Sequence, residues 1–126
     1  MKTKIFILAA LCLFSCGKKQ PAAGETIAYE NEAPSPEDRG RELFEGDANC
    51  ISCHKPDNNV LAPSLPEIAS AYKKHRGDMA AFLKGKAEPI VDPTRYAIMK
   101  TNFSVTENMG EADLKALETY IGSFSK

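Results

Sequence analysis

The chain is 126 residues long, carries 16 basic and 17 acidic residues for a formal charge of −1, and is 43% hydrophobic. That length accommodates one compact domain. The near balance of charge, without a basic stripe, excludes the electrostatic footprint of a nucleic-acid-binding protein.

Lys2 and Lys4 precede an apolar run from Ile5 to Phe14. The run falls short of the roughly 20 residues that cross a bilayer, but it suits the core of an export signal. It ends in Leu13-Phe14-Ser15-Cys16, which resembles the lipobox of bacterial lipoproteins, although Phe14 is bulkier than the residue usual there. On this reading residues 1–15 are the signal peptide and Cys16 is the lipidated first residue of the mature chain. The protein is then periplasmic or otherwise extracytoplasmic, anchored to the membrane because several acyl chains bury many methylenes together. The alternative is an ordinary secretory signal that leaves Cys16 as a spare thiol. Loss of Lys2 and Lys4 leaves 14 basic and 17 acidic residues, a formal charge of −3.

Residues 16–35 are rich in Gly, Ala, Pro and Glu and show no apolar periodicity, the composition of a flexible tether. A domain over residues 36–126 follows. Ser35-Pro36-Glu37-Asp38 reads as a helix start, with Ser35 as N-cap, Pro36 in the first turn and two acids at the positive helix end. Gly40, Leu43 and Phe44 share one face of that helix, which Gly46-Asp47 ends near Glu45. Further helices are predicted over Pro66–Lys74 and Asp78–Lys84. Asp92-Pro93 caps a short turn reaching about Ile98, and a long loop follows. A last helix from Gly110-Glu111 carries the stripe Leu114, Leu117, Ile121 and Phe124, with Tyr120 beside it. Nothing alternates with period two over strand length. The domain reads as all-α, with four to five short helices that bury little apolar surface unless something fills their centre.

Four cysteines suggest a disulfide scaffold, but Cys12 lies in the signal and Cys16 is the lipidation site. What remains is Cys50-Ile51-Ser52-Cys53-His54, the C-x-x-C-H attachment signature for one covalent haem c. Two thiols add across the two porphyrin vinyl groups, the intervening pair lets one backbone turn reach both, and His54 reaches the iron from the same side. A zinc site needs four ligands in a structural setting or three in a catalytic one, yet beyond this motif only the surface His75 is left as a soft partner and no second C-x-x-C is present. A thioredoxin-like dithiol would need a βαβ unit, and a plain disulfide leaves His54 without a role. A haem would also fill the missing centre.

From Ser35 to Lys126 the chain resembles the class I cytochromes c. The order matches: a first helix with Gly40 and Phe44, then C-x-x-C-H, then Ala62-Pro63-Ser64-Leu65, a methionine-bearing loop, and a last helix with Leu117, Tyr120 and Ile121. The resemblance implies that the first and last helices cross, with Gly40 against Tyr120. It implies that the Pro63 carbonyl accepts the His54 Nδ1–H, fixing the ring and strengthening it as a donor. Ala62 stands where the family pattern has Gly. For the second axial ligand the resemblance favours Met99, with Met109 next and His75 as a rival, although Lys100 replaces a common proline and the stretch after Met99 is long. Met79, on an apolar helix face, reads as core, and Tyr96 and Phe103 as haem-packing or core aromatics.

With His54 and Met99 as metal ligands the iron has no open position, which implies single-electron transfer rather than an enzyme. The partners implied are a quinol-oxidising complex as donor and a terminal oxidase or reductase as acceptor, with Lys73, Lys74, Arg76, Lys84, Lys86 and Lys100 as a docking rim. The same cations also suit an ordinary solvated surface. A five-coordinate iron would instead give a gas sensor or weak peroxidase. A third possibility is a structural lipoprotein without haem.

Overall fold

The computed structural model describes residues 33–125, so the expectations for the leader, Cys16 and most of the tether lie outside the described residues. The described residues contain no strand; six α-helical stretches and three 3-10 turns make an all-α domain.

Helix α1 spans Pro36–Glu45. Its start is as read: the Ser35 hydroxyl accepts from the Asp38 backbone N–H at 3.1 Å, and Pro36 occupies the first turn. At its end the Gly46 N–H donates to the Glu42 carbonyl at 2.8 Å. The buried face is Gly40, Leu43 and Phe44. Helix α6, the last, spans Glu111–Gly122 and buries Leu114, Ala116, Leu117, Tyr120 and Ile121.

These two helices cross at Gly40, as the resemblance implied. A Cβ there would lie inside the Ala116 carbonyl and 2.7 Å from Tyr120 Cβ, so only glycine permits this approach. The crossing is sealed by Phe44 against Tyr120 (ring centroids 5.4 Å) and Tyr120 against Phe124 (5.4 Å), and at its rim Arg39 Nε pairs with Asp113 at 3.0 Å. Leu65, Leu114 and Leu117, each at most 1% exposed, form the centre of the core.

Helix α2 spans Leu65–His75, one residue longer at each end than predicted. The Ser64 N–H and hydroxyl both donate to the Glu67 carboxylate, at 2.8 and 2.9 Å, which extends the start. Arg76 ends it in the left-handed region at φ +53°. Helix α3 spans Met79–Leu83, capped by the Asp78 carboxylate, which accepts from the Ala81 N–H at 2.8 Å.

The expected long loop after Ile98 is not a loop. A 3-10 turn over Pro93–Arg95 leads into α4 (Tyr96–Met99), a second 3-10 turn over Lys100–Asn102, and α5 (Phe103–Thr106). Met99 is therefore the last residue of a helical turn. The physical reason is burial at helical spacing: Phe103 is 7% exposed and Thr106 is fully buried, its hydroxyl donating to the Leu83 carbonyl at 2.6 Å. A threonine hidden by hydrogen bonding does not announce itself as an apolar position.

Candidate functional site

Cys50–Ser52 form a single 3-10 turn entered through Asn49, whose φ of +48° reverses the chain just before the first thiol. The Cys53 and His54 N–H groups both donate to the Cys50 carbonyl, at 3.2 and 2.9 Å. This tight turn gathers both sulfurs and the imidazole within five residues. The thiols are not paired with each other: Cys50 is buried, Cys53 exposed. Burial pushes the Cys50 thiol up to about 11, so a charged sulfur is disfavoured there.

His54 is the clearest piece of geometry. Its Nδ1 lies 2.7 Å from the Pro63 carbonyl oxygen. A carbonyl can only accept, so Nδ1 carries the proton and Nε2 keeps its lone pair for a metal. The imidazole's affinity for a second proton is below the ordinary value, first because burial disfavours the cation and also because of the nearby Arg95 charge; the Pro63 bond opposes both.

Cys50, Cys53, His54, Pro63 and Met99 all line one cavity of about 270 Å³. Met79 lines it too, while packing in the core at 4% exposure, so the core reading of Met79 captured only half its position. Met109 and His75 are not among the lining residues; Met109 packs on the core and His75 is exposed. Tyr96 lines the cavity, whereas Phe103 stands behind it, with its ring edge-on to Phe82 (5.4 Å) and near Tyr96 (6.1 Å).

Sequence reasoning missed Tyr72, Phe82, Asp92, Arg95 and Asn102 as lining residues. Tyr72 and Phe82 fall within the predicted helices over Pro66–Lys74 and Asp78–Lys84, and nothing in the sequence sets them apart from other apolar positions there. The i,i+3 spacing of Asp92 and Arg95 was the available signal for a fixed arginine.

The donor set fits a haem c. Two unpaired thiols and a ring nitrogen with a free lone pair stand on one turn, a thioether sulfur stands on another element, and aromatic and aliphatic side chains make up most of the wall. Among the described residues no group of three or more His, Cys, Asp or Glu could hold a metal ion on its own.

Fold and site together define an all-helical domain built around a covalently attached haem. The chain belongs to the cytochrome c family, whose model matches residues 37–125. It is similar to cytochrome c-552 of Nitrosomonas europaea, with 33% identity over 73 residues, 58% of this chain and 67% of that protein. The chain therefore binds haem c covalently, and Cys50, Cys53 and His54 fit its attachment motif. It is an electron-carrying haem protein, which implies redox proteins as partners.

Proposed function

We propose that this protein is a membrane-anchored monohaem carrier that passes single electrons between respiratory partners, with His54 and Met99 as the residues that would hold the iron. The observation that carries the reading is that His54 Nε2 is left free by the Pro63 bond while Met99 lines the same cavity. A bound haem supplies a one-electron couple between ferrous and ferric iron. The chain's own residues do the rest. Cys50 and Cys53 hold the group by thioether links. Pro63 holds the His54 ring in one orientation and one tautomer. Met99, a soft sulfur donor, would favour the reduced state and leave the iron no open position for a substrate. Tyr72, Phe82 and Tyr96 line the cavity and would present a largely apolar wall to the bound group.

The anchor rests on the lipobox-like Leu13-Phe14-Ser15-Cys16 and on the tether composition of residues 16–35. A tether lets one domain visit both a quinol-oxidising complex and a terminal oxidase or reductase. Lys73, Lys74, Arg76, Lys86 and Lys100 are exposed, Lys84 is half-buried, and Lys100 leans over the Tyr96 ring at 5.5 Å beside the cavity. These cations suit an acidic docking face.

The test of the ligand set is a visible spectrum of the haem-loaded Met99→Ala, Met109→Ala and His75→Ala proteins. Met99→Ala alone loses the weak red sulfur-to-iron absorption and becomes reactive toward CO. A Met99→Ala protein with the wild-type spectrum overturns the assignment. For the anchor, Cys16→Ala moves the protein from the membrane fraction to the soluble one.

A further inference from the structure

Arg95 sits four residues before Met99, on the 3-10 turn that leads directly into α4, and its side chain reaches across the cavity lip. Its Nε donates to Asp92 Oδ2 at 2.5 Å, and one terminal nitrogen donates to the Leu61 carbonyl at 3.0 Å, 34 residues away in sequence. Asp92 is itself immobilised. Its other oxygen accepts from the Thr94 N–H at 3.0 Å, the Arg95 N–H at 3.2 Å and the Thr94 hydroxyl at 2.5 Å. The guanidinium is thus held at one end by a fixed carboxylate and at the other by main chain.

The far end matters most. Leu61 lies two residues before Pro63, whose carbonyl orients His54. The segment that aims the histidine and the helical turn that carries Met99 are joined through one planar cation. A guanidinium suits this task because its rigid fork makes two directed bonds at once and keeps its charge. The bond to Leu61 is charge-assisted, the stronger class of hydrogen bond. Asn102, three residues past Met99, makes a second tie by donating to the Ala48 carbonyl at 3.1 Å, so loss of Arg95 should loosen the turn without unfolding it.

We infer that Arg95 is a positioning residue that locks the Leu61–Pro63 segment to the Met99 turn and thereby sets how readily Met99 is displaced from the iron. This rests on Met99 being the axial ligand. It adds a residue that neither touches the iron nor belongs to the attachment motif. The side chain acts as a strut: with it in place, withdrawal of Met99 must carry the Asp92–Arg95 turn away from Leu61 and break the bond between them.

The test titrates imidazole into the ferric, haem-loaded wild type, Arg95→Ala, Arg95→Lys and Asp92→Asn, following loss of the sulfur-to-iron absorption. Thermal unfolding of each protein is recorded in parallel. Arg95→Ala should bind imidazole about tenfold more tightly, the scale of one charge-assisted hydrogen bond. Arg95→Lys should recover little, because a single ammonium on a flexible stem does not make both directed bonds. Asp92→Asn should fall between. An unchanged imidazole constant in Arg95→Ala, even with a lowered melting temperature, overturns the inference and leaves a merely structural role. Should Arg95→Ala fail to mature, Asp92→Asn decides in its place, and an unchanged constant there overturns the inference equally. Met99→Ala separates the two readings: if it keeps the sulfur absorption, the ligand assignment fails and the strut with it. If Met99→Ala loses that absorption while the Arg95 variants match wild type, only the strut fails.

Discussion

The Pro63 carbonyl oxygen sits 2.7 Å from Nδ1 of His54, the residue nine positions earlier in the chain. That contact selects the tautomer whose other nitrogen is available to iron, and burial holds the ring's proton affinity below its ordinary value of 6.5. The direction fixes an acid response. An unfolded chain takes up the proton first as the pH falls, so stability carried by neutral His54 is complete above 6.5 and is lost only as pH falls through the lower folded value. Metal binding pushes the same way, since it too requires the neutral ring. An acid titration of the haem-loaded protein, followed in the visible region, should show no loss of the low-spin spectrum as pH passes through 6.5. A transition centred at or above that value would contradict the burial argument.

The two thiols make a second prediction. Cys50 opens a 3-10 turn, Cys53 caps it, and neither is in a disulfide. Cys50→Ala and Cys53→Ala should each leave one thioether, visible as a red-shifted band in the pyridine haemochrome spectrum. The double variant should release its pigment into acidified acetone, as the single variants should not. Retention of pigment by the double variant would mean that another residue holds the group.

Much of this site was legible because the chemistry is local. C-x-x-C-H needs five consecutive residues and the α6 stripe shows by its spacing, while the roles of Gly40 and Pro63 were implied by the resemblance to the class I cytochromes c. What was not legible depends on residues that meet only after folding. Arg95 reads as one more surface cation until Leu61 arrives from 34 positions away. Tyr72 and Phe82 read as helix-face residues and turn out to wall the cavity. The helical winding from Pro93 to Thr106 was hidden because its buried members include a polar threonine and because the Asp92-Pro93 start suggested only one turn. The first helix started where its cap Ser35 was read, whereas Ser64 and Asp78, which cap the next two helices, were not read as caps and those starts shifted by one residue.

The α1–α6 crossing makes a third prediction. Gly40→Ala puts a methyl group into the Ala116 carbonyl and against Tyr120 Cβ, both on a helix that cannot shift without opening the Leu43, Phe44 and Leu117 core. Overpacking of this kind costs about 1–3 kcal/mol, and backbone contact puts this site at the upper end. In a domain of this size that corresponds to a melting temperature lower by roughly 10–20 °C. Thermal unfolding of the haem-loaded variant checks it. A change of only a degree or two would show that the two helices separate more easily than their packing indicates.

The last prediction concerns Thr106, a polar side chain buried completely. Its hydroxyl donates at 2.6 Å to the carbonyl of Leu83, the final residue of α3. The last carbonyls of a helix have no partner within it, so this hydroxyl satisfies a group that burial would otherwise leave bare. Thr106→Val has nearly the same shape and is more apolar, so packing alone predicts no loss. The hydrogen-bond argument predicts a loss of about 1–3 kcal/mol, because the unsatisfied carbonyl keeps its desolvation cost while the valine gains little. Denaturant unfolding of the haem-loaded variant distinguishes the two. A midpoint equal to or above that of wild type would mean that water or a backbone shift takes over the Leu83 carbonyl. A clear fall would identify Thr106 as the bond that holds α3, and with it Met79 and Leu83, against the cavity.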